Sequence, residues 1–431
     1  MRIRKLSLAT TAAFLAVCSA TYAQNGQATT NTEQSVPLTA EFKAELMGRL
    51  DDIVMRNAFV PGIDFSQWPT VKAKYQAKID AAKTPEELSM AVNSALNGFK
   101  ASHFVFNTPQ AARAFTKQTG VGIGIIPEVV SEGIKILEVF PKTPAEEAGL
   151  KAGDIILTAN GNKPTALTSL RGEVGTKVKL KVKSTDGSQR EMELTRREFS
   201  TARPEVTRWL VPNDVAYLQI PSFMTYDAKN VEKLMSNVQG SKALVVDLRS
   251  NGGGRVDLLR HLCGFFMEKE QAIGTFITRS LVDYYVKDTQ GSPTDLLGIA
   301  RYAQSRKPGF LITPSPAQPS VYKGKVIVLI NGGTGSASEM FASGMRDTIG
   351  AKIIGSKSAG AVLASSLRQL PGGYMIQFPF QDYVTITGNR LENAGVKPDI
   401  NASTPRLGEN KDPGIDAALK ELTKEGVVAS K

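Results

Sequence analysis

The stretch KVIVLINGGTGSASEM, residues 325–340, determines the expected fold because it joins an apolar run to a glycine-rich turn and a helix start. The run Lys325–Ile330 is short, apolar and β-branched, which predicts a buried strand. Ser336 then lies on the turn before a helix, where free backbone N–H groups can stabilise an oxyanion. This position fits a nucleophile. Glycine- and serine-rich turns also precede helices for structural reasons, with Ser338 as a simple N-cap.

The first 23 residues have the pattern of a cleaved export signal. Three cations in residues 2–5 precede a largely apolar run over residues 6–17, and Thr21 and Ala23 are small residues at the positions that a signal peptidase reads. A lipoprotein signal at Cys18 fits less well because a bulky valine precedes that cysteine. We therefore predict a periplasmic or secreted protein. No later stretch has the roughly 18 uninterrupted apolar residues that a membrane span needs.

The composition of the 431-residue chain, with 42% hydrophobic and 22% charged residues, is that of an ordinary globular protein. Its net charge is +11, or about +8 without the signal. The basic residues are dispersed along the chain and are not interleaved with aromatic residues, which excludes a nucleic-acid surface. The two histidines are too few for a histidine-rich metal site. Without the signal, Cys263 is the sole cysteine, which excludes an internal disulfide.

Three regions with different periodicity follow the signal, and together they predict a multidomain chain of the α/β and α+β classes. Residues 24–111 combine a polar leader with helical spacing and predict an N-terminal helical region. Residues 112–199 change to a period of two and predict a β-domain. Residues 200–425 alternate strands and helices, which predicts a mainly parallel α/β core. The expected strands cover residues 121–126, 134–139 and 178–182 in the β-domain and 215–220, 243–248, 325–330 and 352–354 in the core.

Within the β-domain, residues 143–161 predict a short helix, a Gly-Asp turn, a strand and an Asn-Gly hairpin turn, in this order. This order resembles a PDZ domain of the bacterial, circularly permuted type, with a generic small β-domain as the alternative. The resemblance implies that backbone N–H groups bind a peptide's C-terminal carboxylate and that the peptide pairs with a neighbouring strand edge. The residues in the carboxylate-binding place are Gly120, Val121, Gly122 and Ile123.

A second glycine loop, DLRSNGGG over residues 247–254, follows another expected strand of the core. Ligands bind at the carboxyl ends of such strands in open parallel sheets. Gly253 can bring its backbone N–H close to a substrate carbonyl and complete an oxyanion hole with the N–H of Ala337. Three glycines can also cradle a phosphate, but this run lacks the lysine and hydroxyl residue of a nucleotide-binding P-loop.

The glycine loop, the serine turn and the embedded PDZ-like domain resemble those of the C-terminal processing (tail-specific) peptidases, over essentially the whole chain after the signal. The resemblance implies a serine peptidase in which Ser336 is the nucleophile. Those peptidases pair the serine with a lysine 25 residues later, a position that Ala361 occupies here. Alanine cannot accept a proton. The chain is therefore an inactive homologue, has a dyad relocated to Lys357, or uses another base.

The segment LNGFKASHF, residues 96–104, resembles the Ser-His segment of the tricorn-core branch of the same superfamily. That branch replaces the lysine with a histidine that a second serine and a glutamate assist. The resemblance implies that His103 is the general base, assisted by Ser102 and Glu392. Imidazole suits this role because it titrates near neutral pH and can return the proton to the leaving amine.

These features favour an exported serine endopeptidase whose partners are peptides or unfolded proteins, recognised in part by their C-termini. A peptide-binding PDZ protein without activity is the main alternative. An esterase with the same triad is disfavoured because the chain lacks the Gly-x-Ser-x-Gly elbow of α/β-hydrolases. We expect no metal and no cofactor, and the sequence leaves the oligomeric state open.

Overall fold

The computed structural model describes residues 36–164, 167–317, 320–404 and 411–429. The predicted export signal, residues 1–23, lies outside this part of the chain. Within the described ranges, no helix has both the length and the apolar character that a membrane span requires.

The helices in these ranges are α1 (Ala40–Arg56), α2 (Trp68–Ala73), α3 (Gln76–Ala81), α4 (Pro85–Leu96), α5 (Pro109–Lys117), α6 (Pro144–Glu147), α7 (Ala228–Val238), α8 (Val256–Gly264), α9 (Arg279–Thr289), α10 (Leu296–Arg306), α11 (Ala337–Ile349) and α12 (Pro413–Lys424). The strands are β1 (Val105–Asn107), β2 (Thr119–Gly122), β3 (Ile125–Val130), β4 (Gly133–Val139), β5 (Ile155–Ala159), β6 (Lys177–Lys183), β7 (Gln189–Thr195), β8 (Arg197–Ser200), β9 (Val206–Val211), β10 (Val215–Gln219), β11 (Ala243–Asp247), β12 (Gly274–Ile277), β13 (Leu311–Ile312), β14 (Lys325–Ile330), β15 (Lys352–Gly355), β16 (Ala364–Gln369), β17 (Met375–Thr385) and β18 (Ile400–Asn401).

The largest sheet has six strands in the order β18-β15-β14-β11-β10-β9. All neighbours pair in parallel except the edge strand β9, which runs antiparallel to β10. The expectation of a mainly parallel core sheet is therefore confirmed. Strands β11 and β14 lie side by side, with Asp247 opposite Leu329. Their carboxyl ends consequently place the glycine loop beside the turn that holds Ser336.

A second, antiparallel sheet joins the N-terminal helices to the core. Its long strand β17 pairs with β1, β12 and β16. Helices α1 and α4 share a hydrophobic core with this sheet through buried residues that include Leu46, Leu88 and Ile376. The described part of the expected N-terminal helical region, residues 36–111, therefore packs against a later part of the chain. Residues 102–103 come shortly before β1, which belongs to that sheet.

The β-domain contains a five-stranded antiparallel sheet, β3-β4-β5-β6-β7, and a separate pairing of β2 with β8. The prediction of one continuous strand over residues 121–126 is wrong, because β2 ends at Gly122 and β3 begins at Ile125. Gly124 permits this break: its φ is 86°, and a Cβ there would lie 2.2 Å from the Cβ of Thr143. The break leaves β3 at the edge of the described sheet.

Candidate active site

Ser336 is the residue immediately before α11 and lies in a strained turn. It is 1% exposed, and its φ of 52° and ψ of −120° are unusual for a residue with a side chain. Its backbone N–H donates to the carbonyl oxygen of Ala361 at 2.8 Å and to Oε2 of Glu339 at 3.0 Å. These two acceptors hold the turn that carries the Ser336 hydroxyl.

The two residues expected to form an oxyanion hole both lie beside Ser336. A Cβ at Gly253 would lie 2.7 Å from the Ser336 Cβ and 2.8 Å from the Ala337 nitrogen, so this close approach requires glycine. Ala337 is the first residue of α11, and its N–H has no acceptor within the helix. The N–H of Gly253 donates to Oδ1 of Asn251 at 2.9 Å and has to exchange that partner to bind an oxyanion.

Ser102, His103 and Glu392 form a continuous hydrogen-bonded chain. The hydroxyl of Ser102 lies 2.8 Å from Nδ1 of His103 and donates to Oε2 of Glu392 at 2.9 Å. The backbone N–H of Ser102 donates to Oε1 of the same carboxylate at 2.9 Å. Because the Ser102 hydroxyl hydrogen goes to Glu392, Nδ1 of His103 is the donor to Ser102 Oγ. Nε2 then carries the lone pair, the state that a general base requires.

Nε2 of His103 is buried and has no hydrogen-bond partner among the described residues, so the Ser336 hydroxyl is not bonded to it here. Catalytic hydrogen bonds often tighten only when substrate binds. His103 is 7% exposed, and burial lowers its pKa to about 4, which keeps the imidazole neutral at neutral pH. Burial also raises the pKa of Glu392, whereas the hydrogen bonds from Ser102 and Val362 lower it.

Ala361, which the resemblance predicts to replace the dyad lysine, contacts the serine turn through its backbone. Its carbonyl oxygen accepts the N–H of Ser336, and its own N–H donates to Oε2 of Glu339 at 3.0 Å. Lys357 is exposed on the same loop. The structure therefore presents a buried histidine and an exposed lysine as the two candidate bases.

Sequence reasoning missed two supporting groups. Glu339 is fully buried near Ser336, and the Ser-x-x-Glu spacing of a capping box was the signal for it. Arg249 forms ion pairs with Asp247 at 2.6 Å and with Asp412 at 2.7 Å, which tie the glycine loop to the start of α12. No sequence signal identifies Asp412, because it lies 163 residues after Arg249.

The four residues expected to bind a peptide carboxylate do not lie in one free loop. Gly120, Val121 and Gly122 belong to β2 and pair with β8. Ile123 follows β2 and leads into the turn that ends at Gly124, before β3. Strands β3 and β7 are the two edges of the described five-stranded sheet, and β3, which follows the turn at Gly124, is an edge to which an extended peptide can add.

Residues 214–402 match the family model described as peptidase family S41, and residues 121–195 match that of the PDZ domain. The chain is therefore similar to peptidase family S41 over its core and to the PDZ domain over its β-domain, and the resemblance to C-terminal processing peptidases is confirmed.

Two staphylococcal relatives carry the name "Probable CtpA-like serine protease". The one from Staphylococcus haemolyticus is 25% identical over 351 residues, which cover 79% of this chain and 64% of the relative. The one from Staphylococcus aureus strain COL is 23% identical over 347 residues, which cover 78% and 63%. The chain thus spans less than two thirds of the length of these relatives.

Solved structures share the fold. Mature CPAF complexed with lactacystin has a TM-score of 0.56 at 14% identity, covering 90% of this chain and 98% of that one. The photosystem II D1 C-terminal processing protease has a TM-score of 0.51 at 20% identity, covering 86% and 98%. The tricorn protease has a TM-score of 0.51 at 18% identity, covering 89% of this chain and 37% of that one.

Proposed function

We propose that this protein is an exported serine endopeptidase that cleaves peptides or unfolded proteins, with Ser336 as nucleophile and His103 as general base. The observation that carries the proposal is the chain from His103 through Ser102 to Glu392, which fixes the imidazole with Nε2 as acceptor. The similarity to peptidase family S41 supports the activity. The pattern of residues 1–23 supports export.

In the acylation step, Oγ of Ser336 attacks the substrate carbonyl carbon while its proton passes to Nε2 of His103. The N–H of Ala337 stabilises the oxyanion, and the N–H of Gly253 joins it after releasing Asn251. His103 then gives the proton to the leaving amine as the C–N bond breaks. In the second step His103 deprotonates a water molecule, which attacks the acyl carbon. The bond between that carbon and Oγ of Ser336 then breaks, and His103 returns the proton to Oγ.

Ser102 and Glu392 orient the imidazole and stabilise the imidazolium that forms after proton transfer. A charged imidazole is costly at this buried position, as the low pKa of His103 indicates. The carboxylate of Glu392, one hydroxyl group away from the ring, offsets part of that cost. We therefore assign Ser102 and Glu392 to orientation and charge stabilisation.

The PDZ domain supports recognition of substrates by their C-termini. An extended peptide can add to the edge of β3 while the turn at residues 122–124 offers backbone N–H groups to its terminal carboxylate. In this proposal the domain holds the end of a polypeptide while the core cleaves a more distant bond.

A peptide-binding protein without activity is the second candidate. The missing hydrogen bond between the Ser336 hydroxyl and Nε2 of His103 favours it. A dyad that uses Lys357 has less support, because that side chain is exposed and a lysine base depends on burial.

Covalent labelling with a fluorophosphonate probe tests the proposal, because the probe reacts with an activated serine. The wild-type protein should gain one probe mass on Ser336, and Ser336→Ala should gain none while keeping its melting temperature. Ser338→Ala is the matched control, since it removes a buried hydroxyl two residues away that has no hydrogen-bond partner in the described part of the chain, and it should be labelled like the wild type. Unlabelled wild-type protein, or proteolysis by Ser336→Ala, would contradict the proposal.

A further inference from the structure

Three consecutive residues, 360–362, here called the bridge segment, lie between the two halves of the proposed active site. On the side of the nucleophile, the N–H groups of Gly360 and Ala361 donate to the two oxygens of Glu339, at 2.8 and 3.0 Å. Ser336 donates its N–H both to the carbonyl oxygen of Ala361 and to Glu339. One buried carboxylate therefore holds the serine turn and the bridge segment together.

On the side of the base, a different carboxylate holds the same segment. The N–H of Val362 donates to Oε2 of Glu392 at 3.0 Å. That oxygen also accepts the hydroxyl of Ser102, the residue bonded to Nδ1 of His103. Adjacent N–H groups of Ala361 and Val362 thus bind two different carboxylates, one for the nucleophile and one for the base.

Glu339 accepts four hydrogen bonds from described residues. Besides Ser336, Gly360 and Ala361, it accepts the hydroxyl of Ser358 at 2.5 Å. The hydroxyl of Ser358 is itself the acceptor for the N–H of Val396 at 2.6 Å, so its hydrogen is directed to Glu339. Four donors need acceptors at both oxygens, which is the bonding pattern of an ionised carboxylate. Burial raises the pKa of Glu339, whereas these four hydrogen bonds lower it.

We propose that Glu339 is a positioning residue of the peptidase site, which sets the Ser336 hydroxyl relative to His103 through the bridge segment. The inference rests on the proposed function and deepens it. This role of Glu339 is compatible with alanine at position 361, because the backbone of that residue, rather than its side chain, links the nucleophile to the base.

Glu339→Gln is the sharpest substitution because it keeps the size of the side chain and places an NH2 group among donors. An NH2 group in the place of Oε2 would face the backbone N–H groups of Ser336 and Ala361, and one in the place of Oε1 would face that of Gly360. At least one backbone hydrogen bond is therefore lost in either orientation of the amide. The expected consequence is a serine turn displaced from His103. Displacements of about 1 Å can cost on the order of 100-fold in rate.

The experiment measures the rate constant of fluorophosphonate labelling at Ser336, together with kcat, KM and the melting temperature. Glu339→Gln should lower kcat and the labelling rate about 100-fold with KM little changed. Glu205→Gln is the matched control: Glu205 is another buried carboxylate that accepts a backbone N–H, that of Asp227, away from the site. Its labelling rate should match the wild type. If Glu339→Gln does not fold, Ser358→Ala, which removes one of the four donors, should show a smaller loss of the same kind.

The same substitution in the His103→Ala background separates positioning from general damage. If Glu339 acts by aligning Ser336 with His103, Glu339→Gln should have little further effect on the slow labelling of His103→Ala. An equal loss in both backgrounds, or wild-type labelling of Glu339→Gln, would overturn the inference while leaving the proposed function intact. Wild-type protein that the probe does not label would instead refute the proposed function, and the inference with it.

Discussion

The backbone N–H of Ser336 and the carbonyl oxygen of Ala361 form a hydrogen bond of 2.8 Å. The backbone of Ala361, the residue that the family resemblance aligns with the dyad lysine, thus holds the serine turn. The proposed base comes from the N-terminal region instead, where Ser102 and His103 precede β1.

Replacing Gly253 with alanine should impair catalysis through a steric effect on the nucleophile. Its φ is 97°, and the new Cβ would lie 2.7 Å from the Cβ of Ser336. We expect kcat to fall on the order of 100-fold, as when an oxyanion donor is lost. Gly332→Ala is the control, because a Cβ there has no heavy atom within 4 Å. Wild-type kinetics for Gly253→Ala would exclude this loop from the site.

The pH dependence of kcat/KM should report a buried histidine. Burial lowers the pKa of His103 to about 4, and only the neutral imidazole accepts a proton, so kcat/KM should rise with pH through a limb below about 6.5. The limb belongs jointly to His103 and Glu392, since Ser102 couples them. Initial rates on a fluorogenic peptide between about pH 3.5 and 10 give this profile. A limb near the lysine reference of about 10.4 would indicate a lysine base.

The same pKa shift predicts a loss of stability in acid. The unfolded state binds a proton at His103 below about pH 6.5, whereas the folded state binds it only near pH 4. The free energy of unfolding should therefore decrease as pH falls through this window, by up to roughly 3 kcal/mol from this residue. Urea unfolding at both ends of the window measures the change. His103→Asn should have a smaller change, and an identical one would contradict the prediction.

Peptide binding by the PDZ domain should depend on a free C-terminus. Amidation of the terminal carboxylate removes a charged acceptor from the backbone donors at residues 122–124, so the Kd should rise. Titration into the full-length Ser336→Ala protein avoids cleavage of the peptide. Acetylation of the peptide's N-terminus is the control and should leave the Kd unchanged. Equal affinity for the free acid and the amide would count against this mode of recognition.

Local patterns predicted the core of the fold because each depends on neighbouring residues. The apolar run Lys325–Ile330 is β14 with the expected bounds, and the helix expected after the turn is α11. The strand expected over residues 121–126 was wrong because the contact of Gly124 with Thr143 is not visible in a two-residue period. The antiparallel sheet around β17 was not predicted, since it joins strands far apart in the chain.

The site residues also differ in whether neighbouring residues or distant parts of the chain determine their positions. The position of Ser336 follows from a strand, a turn and a helix that are contiguous in sequence. Ser102 and Glu392, which are 290 residues apart, were paired only through a family resemblance. Glu339 was visible as a capping-box residue, but its contacts with residues 358–361 depend on the tertiary fold.

The measurement that tests the account most directly compares kcat/KM of His103→Ala with that of Lys357→Ala on one peptide substrate. His103→Ala should lose roughly two to four orders of magnitude, the usual contribution of a positioned base. Lys357→Ala should retain nearly all activity, because its side chain is exposed. A large loss in Lys357→Ala with survival of His103→Ala would contradict the account and indicate a relocated Ser-Lys dyad.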